Sequence, residues 1–276
     1  MKPIEAATCV DAWLQACDHL LEHDKDNWRA YNVILEITDP IALPSGEEAV
    51  VRILDRFLTE RGGLPFSTVV NTIFPAQLYV RHGAAGVYDR YVSEVYPQIE
   101  KHPDCSWGTY AHRILCRTAA DGATINPLRD LIKKLKTQLA LDGPNRAVYE
   151  LGVIDPLLDI PIYDPTTDRS LPIGGPCLTH VSVKLTAKRS VMVTGFYRSH
   201  FYVQRALGNL FGLAHLQHFI AQETGLAMGP LVCHSSMAHL DLKNKKKGAP
   251  EHEKWGKPDI RELIARCHAA RQPVAA

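Results

Sequence analysis

The chain has 276 residues, 46% of them hydrophobic, and its 31 Lys and Arg against 30 Asp and Glu leave a net charge of +1. That balance excludes a mostly disordered chain and a partner bound by bulk electrostatics, such as a nucleic acid. It leaves room for a small anionic ligand, and no run approaches the roughly 18 apolar residues that span a membrane.

Residues 5–22 carry Val10, Trp13, Leu14, Cys17, Leu20 and Leu21 at helical spacing, which predicts an amphipathic helix. Residues 30–38 predict a strand ended by Pro40 and Pro44, and residues 47–60 a second helix. Residues 66–81 predict an apolar helix with Ser67 as its cap, kinked or divided at Pro75. A further helical pattern covers 87–100. Residues 126–140 are the clearest surface helix, with Asn126 as cap, Pro127 in first position, and Leu128, Leu131, Ile132, Leu135 and Leu139 on one face.

Residues 146–165 are strand-like runs broken by prolines. Residues 178–185 and 190–197 predict an antiparallel hairpin turning at Thr186–Arg189. A long helix over 203–224 stops at Gly225, and a strand over 229–233 follows. Lys243–Lys247 is a polar loop, 258–271 a final helix, and 272–276 a short tail. The sum is one α+β domain over 1–276, its mostly antiparallel or mixed sheet carrying helices on one side.

Seven cysteines stand at Cys9, Cys17, Cys105, Cys116, Cys177, Cys233 and Cys267, an odd count without a C-x-x-C pair. They predict reduced thiols in a cytoplasmic protein. Early charges at Glu5 and Asp11 argue against a secretory leader. His215 and His218, with Cys233 and His234 nearby in sequence, match no closed zinc spacing, so no metal is expected.

Several segments together resemble the catalytic core of the thymidylate synthase family. They are Pro176-Cys177, Arg198-Ser199, Asn209 eleven residues after the arginine, Ala221-Gln222 at the end of a long helix, and His239-Leu240-Asp241. GTYAHR at 108–113, GPNRAVYELG at 143–152 and the terminal Pro273-Val274-Ala275-Ala276 add to the resemblance. It covers residues 105–241 and the tail, which with the final helix closes the chain over 258–276, and it is weak over 1–65.

The resemblance implies a thymidylate-synthase-like domain, a homodimer, and one-carbon transfer from 5,10-methylenetetrahydrofolate to C5 of a uracil nucleotide, dUMP or UMP. Cys177 is then the nucleophile that adds at C6. Thiolates suit that step because they both attack and leave readily; an isolated cysteine is otherwise a buried core residue. Tyr110 lies near the attacked base and assists proton removal. Arg198 holds the phosphate bidentately and lowers the thiol pKa; Ser199 adds a hydroxyl, and Arg146 reaches the partner's phosphate site across the dimer. Asn209 reads the base through one amide donor and one acceptor, or else serves only as a cap near a helix start. The family's cytosine hydroxymethylases carry a carboxylate at that position. His239 and Asp241 meet the sugar hydroxyls. Phe201 and Ala275 occupy cofactor-contacting positions.

The sequence departs from the family where the folate binds. Asn71 replaces a glutamate, Phe201 replaces an aspartate, Leu64 stands near a folate-contacting histidine, and Asn145 replaces a second arginine beside Arg146. Asparagine is neither acid nor base near neutral pH. Two alternatives follow: a pyrimidine nucleotide hydroxymethylase, or a nucleotide-binding homologue without transferase activity.

Overall fold

The computed structural model describes residues 3–101, 108–119, 121–155, 176–187, 189–243 and 250–271. Strand β1 (Ile4–Ala6) leads into helix α1 (Cys9–Leu21), then β2 (Arg29–Ile37) and α2 (Ser45–Thr59). The predicted helix over 5–22 therefore starts later, because Thr8 adopts an extended backbone and its hydroxyl accepts the Asp11 N–H at 3.1 Å. Ile4–Ala6, just ahead of that cap, add a short parallel strand to β2 instead.

Pro75 divides the helical stretch in two: α3 (Phe66–Ile73) and α4 (Ala76–Ala85). Ser67 is not the cap of α3. The helix starts two residues earlier, and Asp55 of α2 accepts the Phe66 N–H at 2.6 Å. The pattern over 87–100 is real but irregular, a π-helical segment Gly86–Val95 followed by α5 (Tyr96–Ile99). Next come α6 (Tyr110–Leu115), the small pair β3 (Arg117–Thr118) and β4 (Thr124–Ile125), and α7 (Pro127–Leu139). Asn126 caps α7 as predicted, its side chain accepting the Arg129 N–H at 2.9 Å.

The sheet is completed by β5 (Tyr149–Gly152), β6 (Leu178–Leu185), β7 (Ser190–Tyr197), β8 (His200–Phe201) and β9 (Ala227–His239). Its order is β1-β2-β9-β7-β6-β5, with β8 beside β9. The β5–β6–β7 run is antiparallel, as is β2–β9, whereas β9 lies parallel to β7, so the sheet is mixed. The strand predicted over 229–233 extends to thirteen residues because β9 pairs with both β2 and β7. Helix α8 (Leu207–Thr224) connects the strands, preceded by a π-helical turn at Tyr202–Ala206. Gly225 ends it at φ 67°, the left-handed backbone that glycine adopts without strain. Helix α9 (Lys257–Arg271) closes the described chain.

Helix α8 is the buried axis of the domain, apolar on nearly all sides. Two glycines let α3 press against it. A Cβ at Gly208 would lie 2.7 Å from the Val69 Cγ1, and one at Gly212 2.8 Å from the Ile73 Cβ. Buried Gln217 staples α8 beneath the sheet, donating to the Val191 carbonyl at 2.8 Å and the Gly229 carbonyl at 2.7 Å. The helices cover one face of the sheet. On the other, Tyr31, Ile34, Met192, Phe196 and Val232 keep part of their surface uncovered, alternating with buried neighbours along each strand. Helix α9 is tied on through Arg271, which meets Asp11 at 2.6 Å and Glu47 at 3.3 Å. Among the described residues no helix is long and apolar enough to cross a membrane.

Candidate functional site

Cys177 sits just before β6, half-buried, where the β6–β7 register slips between Leu178 and His180. The phenol of Tyr110, the first residue of α6, lies beneath it. The Tyr110 hydroxyl accepts the backbone N–H of Cys177 at 3.2 Å and that of Leu178 at 3.5 Å. Arg198, at the end of β7, holds the same segment from the other side. Its backbone N–H donates to the Cys177 carbonyl at 3.0 Å, and its Nε to the Pro176 carbonyl at 3.1 Å. A helix and a neighbouring strand thus bring to Cys177 residues 67 and 21 positions away from it.

Burial pushes the Cys177 thiol above its ordinary range, while the charges of Arg198 and Arg205 pull it back. Burial, with the nearby Cys177, also raises the Tyr110 phenol to about 12. At neutral pH Tyr110 therefore keeps its proton, and can give a hydrogen bond as well as accept.

Asn209 lies in the first turn of α8 and is buried. Its Nδ2 meets the His200 Nε2 at 3.0 Å, and the His200 Nδ1 meets the Ser235 hydroxyl at 2.9 Å. Burial drops the His200 pKa to about 3, so the ring is neutral and its Nε2 can accept from the amide. The ring stacks on Tyr197 at 3.9 Å between centroids. Tyr197 pairs in register with Leu178, next to Cys177, and its buried hydroxyl has no hydrogen-bond partner among the described residues. Cys177 and Asn209 are thus linked through Tyr197 and His200.

A second group forms where β8 meets the end of β9. The Ser199 hydroxyl lies 3.4 Å from the His239 Nε2, and the Phe201 ring packs edge-on to His239 at 4.4 Å. Burial, then the charge of Arg29, lowers the His239 pKa to about 4. Arg29 pairs with His239 across the β2–β9 ladder, so exposed Arg29 stands directly beside it.

Asp241 has a different position from that expected of a sugar ligand. It is buried, and its Oδ1 accepts the Val203 N–H at 2.9 Å and the Gln204 N–H at 3.4 Å. Its Oδ2 accepts from the Gln204 side-chain amide at 2.7 Å. Both oxygens therefore cap the π-helical turn Tyr202–Ala206. Arg146 is exposed; its carbonyl accepts the Leu185 N–H, and no described contact joins its side chain to the Cys177 group. Ala275 and Cys105 lie outside the described residues.

Sequence reasoning missed Arg29, Arg205 and Tyr197. Arg205 had a signal: it is the one charged residue in the apolar run Phe201–Leu216, four positions before Asn209. Arg29 had none, because its place beside His239 depends on the full length of β9. The folate half does not fit its expected ligand. Phe201 offers no polar atom where the family has a carboxylate, and half-buried Asn71 on α3 has no acid to offer. Among the described residues, no three His, Cys, Asp or Glu side chains gather into a group that could hold a metal.

No family model matches the chain, and no curated protein matches it. Among solved structures the chain is similar to the thermostable thymidylate synthase A from Bacillus subtilis, with 13% identity and a TM-score of 0.44 over 84% of this chain and 79% of that one. At that score the likeness is distant.

Proposed function

We propose that the protein is a transferase acting at C5 of a uracil nucleoside monophosphate, with Cys177 as nucleophile. What carries the reading is the convergence on Cys177 of the Tyr110 phenol and Arg198, which hydrogen-bond the backbone of its segment from both sides, with the charge of Arg205 also felt by the thiol. In the first step the thiolate adds to C6 of the ring. The C5=C6 π pair moves onto C5 and the C4 carbonyl, so sulfur loses its negative charge and the ring becomes an enolate. C5 is then nucleophilic enough to meet an electrophilic carbon. Arg198 favours the thiolate by its charge, and Tyr110 gives or relays a proton beside the ring. After C5 has formed its new bond, its hydrogen leaves as a proton and the thiolate departs from C6.

The phosphate goes to Arg198, Ser199 and Arg29, the base to Asn209, and a sugar hydroxyl to His239. Asp241 holds the helix start rather than the sugar. A second copy of the chain covers the open face of the sheet in this reading, and Arg146 serves the phosphate of that copy.

The one-carbon donor implied is 5,10-methylenetetrahydrofolate. Phe201 and Asn71 do not suit it. The same two residues favour a second reading, a nucleotide-binding protein without transferase activity. Protection of Cys177 from iodoacetamide, read by peptide mass, tests the shared part of both. Uracil nucleoside monophosphates should slow its alkylation and purine nucleotides should not; equal rates with and without every pyrimidine nucleotide would overturn both readings.

A further inference from the structure

Arg205 is half-buried in the π-helical turn ahead of α8. Its side chain forms no hydrogen bond or ion pair with any described residue. A guanidinium withdrawn from water without an acceptor is costly, and such π-helical turns are frequent at functional sites. The turn is held firmly. Asp241 takes two of its N–H groups and the Gln204 amide, and the Trp13 indole donates to the Tyr202 carbonyl at 2.7 Å. Arg205 and Asn209 are four residues apart, so they share one face of the helix. The Arg205 charge is felt by both Cys177 and Tyr110. Arg198 is already engaged with the Pro176 carbonyl, whereas the Arg205 guanidinium meets no acceptor among the described residues.

We propose that Arg205 binds the ring carbonyl oxygen that becomes negative when Cys177 adds to C6, with Asp241 as the residue that positions it. This rests on the function proposed above and names the group that holds the enolate. The sulfur–C6 bond forms, the C5=C6 π bond opens, and the charge lost by sulfur arrives on the oxygen facing Arg205. Donors aimed at developing charge act most strongly where water is excluded.

The test is exchange of the C5 hydrogen of uridine and deoxyuridine monophosphate with deuterated water, followed by loss of the H5 proton resonance. Arg205→Met should slow exchange by about 100-fold while nucleotide affinity changes by only a few fold. Arg205→Lys keeps the charge without the planar fork and should recover part of the rate; it also decides the matter if Arg205→Met fails to fold. In the absence of nucleotide, Arg205→Met should move the alkylation of Cys177 to higher pH. Exchange abolished by Cys177→Ser yet unchanged in both Arg205 variants would overturn this inference alone. No exchange by the unaltered protein with any pyrimidine nucleotide would overturn the proposed function and this inference with it.

Discussion

The Tyr110 hydroxyl accepts the backbone N–H of Cys177 at 3.2 Å, so a buried phenol on α6 sets where the thiol before β6 stands. Tyr110→Phe would leave the Cys177 and Leu178 N–H groups without that acceptor. Unfolding in urea should show a loss of about 1–3 kcal/mol, and the rate of Cys177 alkylation should rise as the segment loosens. An unchanged urea midpoint would mean that the hydroxyl does not hold the segment.

Asp241 caps the turn that carries Arg205. Asp241→Ala removes an acceptor from two backbone N–H groups and should destabilise the fold by about 1–2 kcal/mol. Asp241→Asn keeps one acceptor oxygen and should lose less. Urea unfolding of the two variants, compared at one pH, gives the order.

His200 makes the fold sensitive to acid. Its pKa lies at about 3 in the folded chain against 6.5 for an unperturbed ring, so the unfolded chain binds the proton first. Stability therefore falls as pH drops below about 6.5 and continues to fall towards 3, with a slope of about 1.4 kcal/mol per pH unit from this one group. His200→Gln should flatten the dependence between pH 4.5 and 6.5 in urea unfolding. A variant with the parent's slope would show that other groups govern it.

The local rules of chain structure made much of the fold legible. Asn126-Pro127 marks a helix start, Gly225 a helix stop, and the alternating Val181, Val183 and Leu185 a strand, because each depends on neighbours a few residues away. The misses depend on distant partners. Asp55 caps α3 from another helix, β9 is long because two strands flank it, and Ile4–Ala6 is a strand only because β2 lies beside it. The site divides in the same way. Cys177, Arg198, Ser199, Asn209 and His239 were named from spacing and resemblance. That His200 engages Asn209, and that Asp241 turns inward to a helix start, follows from packing that no spacing encodes.

Arg146 tests whether the site is shared between copies. In this account Cys177→Ser and Arg146→Ala are each nearly inactive, but mixed after gentle dissociation they should regain activity, because some mixed dimers contain one intact site. Light scattering of the unaltered protein should give a dimer. A monomer, or no recovery on mixing, would remove Arg146 from the site.

The central claim is that Cys177 opens the C5–H bond of a uracil nucleotide by adding to C6. Release of tritium from C5-labelled uridine and deoxyuridine monophosphate, with and without 5,10-methylenetetrahydrofolate, measures it most directly. The account predicts release by the unaltered protein with at least one of the two nucleotides, and none by Cys177→Ser. Release that survives in Cys177→Ser, or no release alongside measurable nucleotide binding, would contradict it.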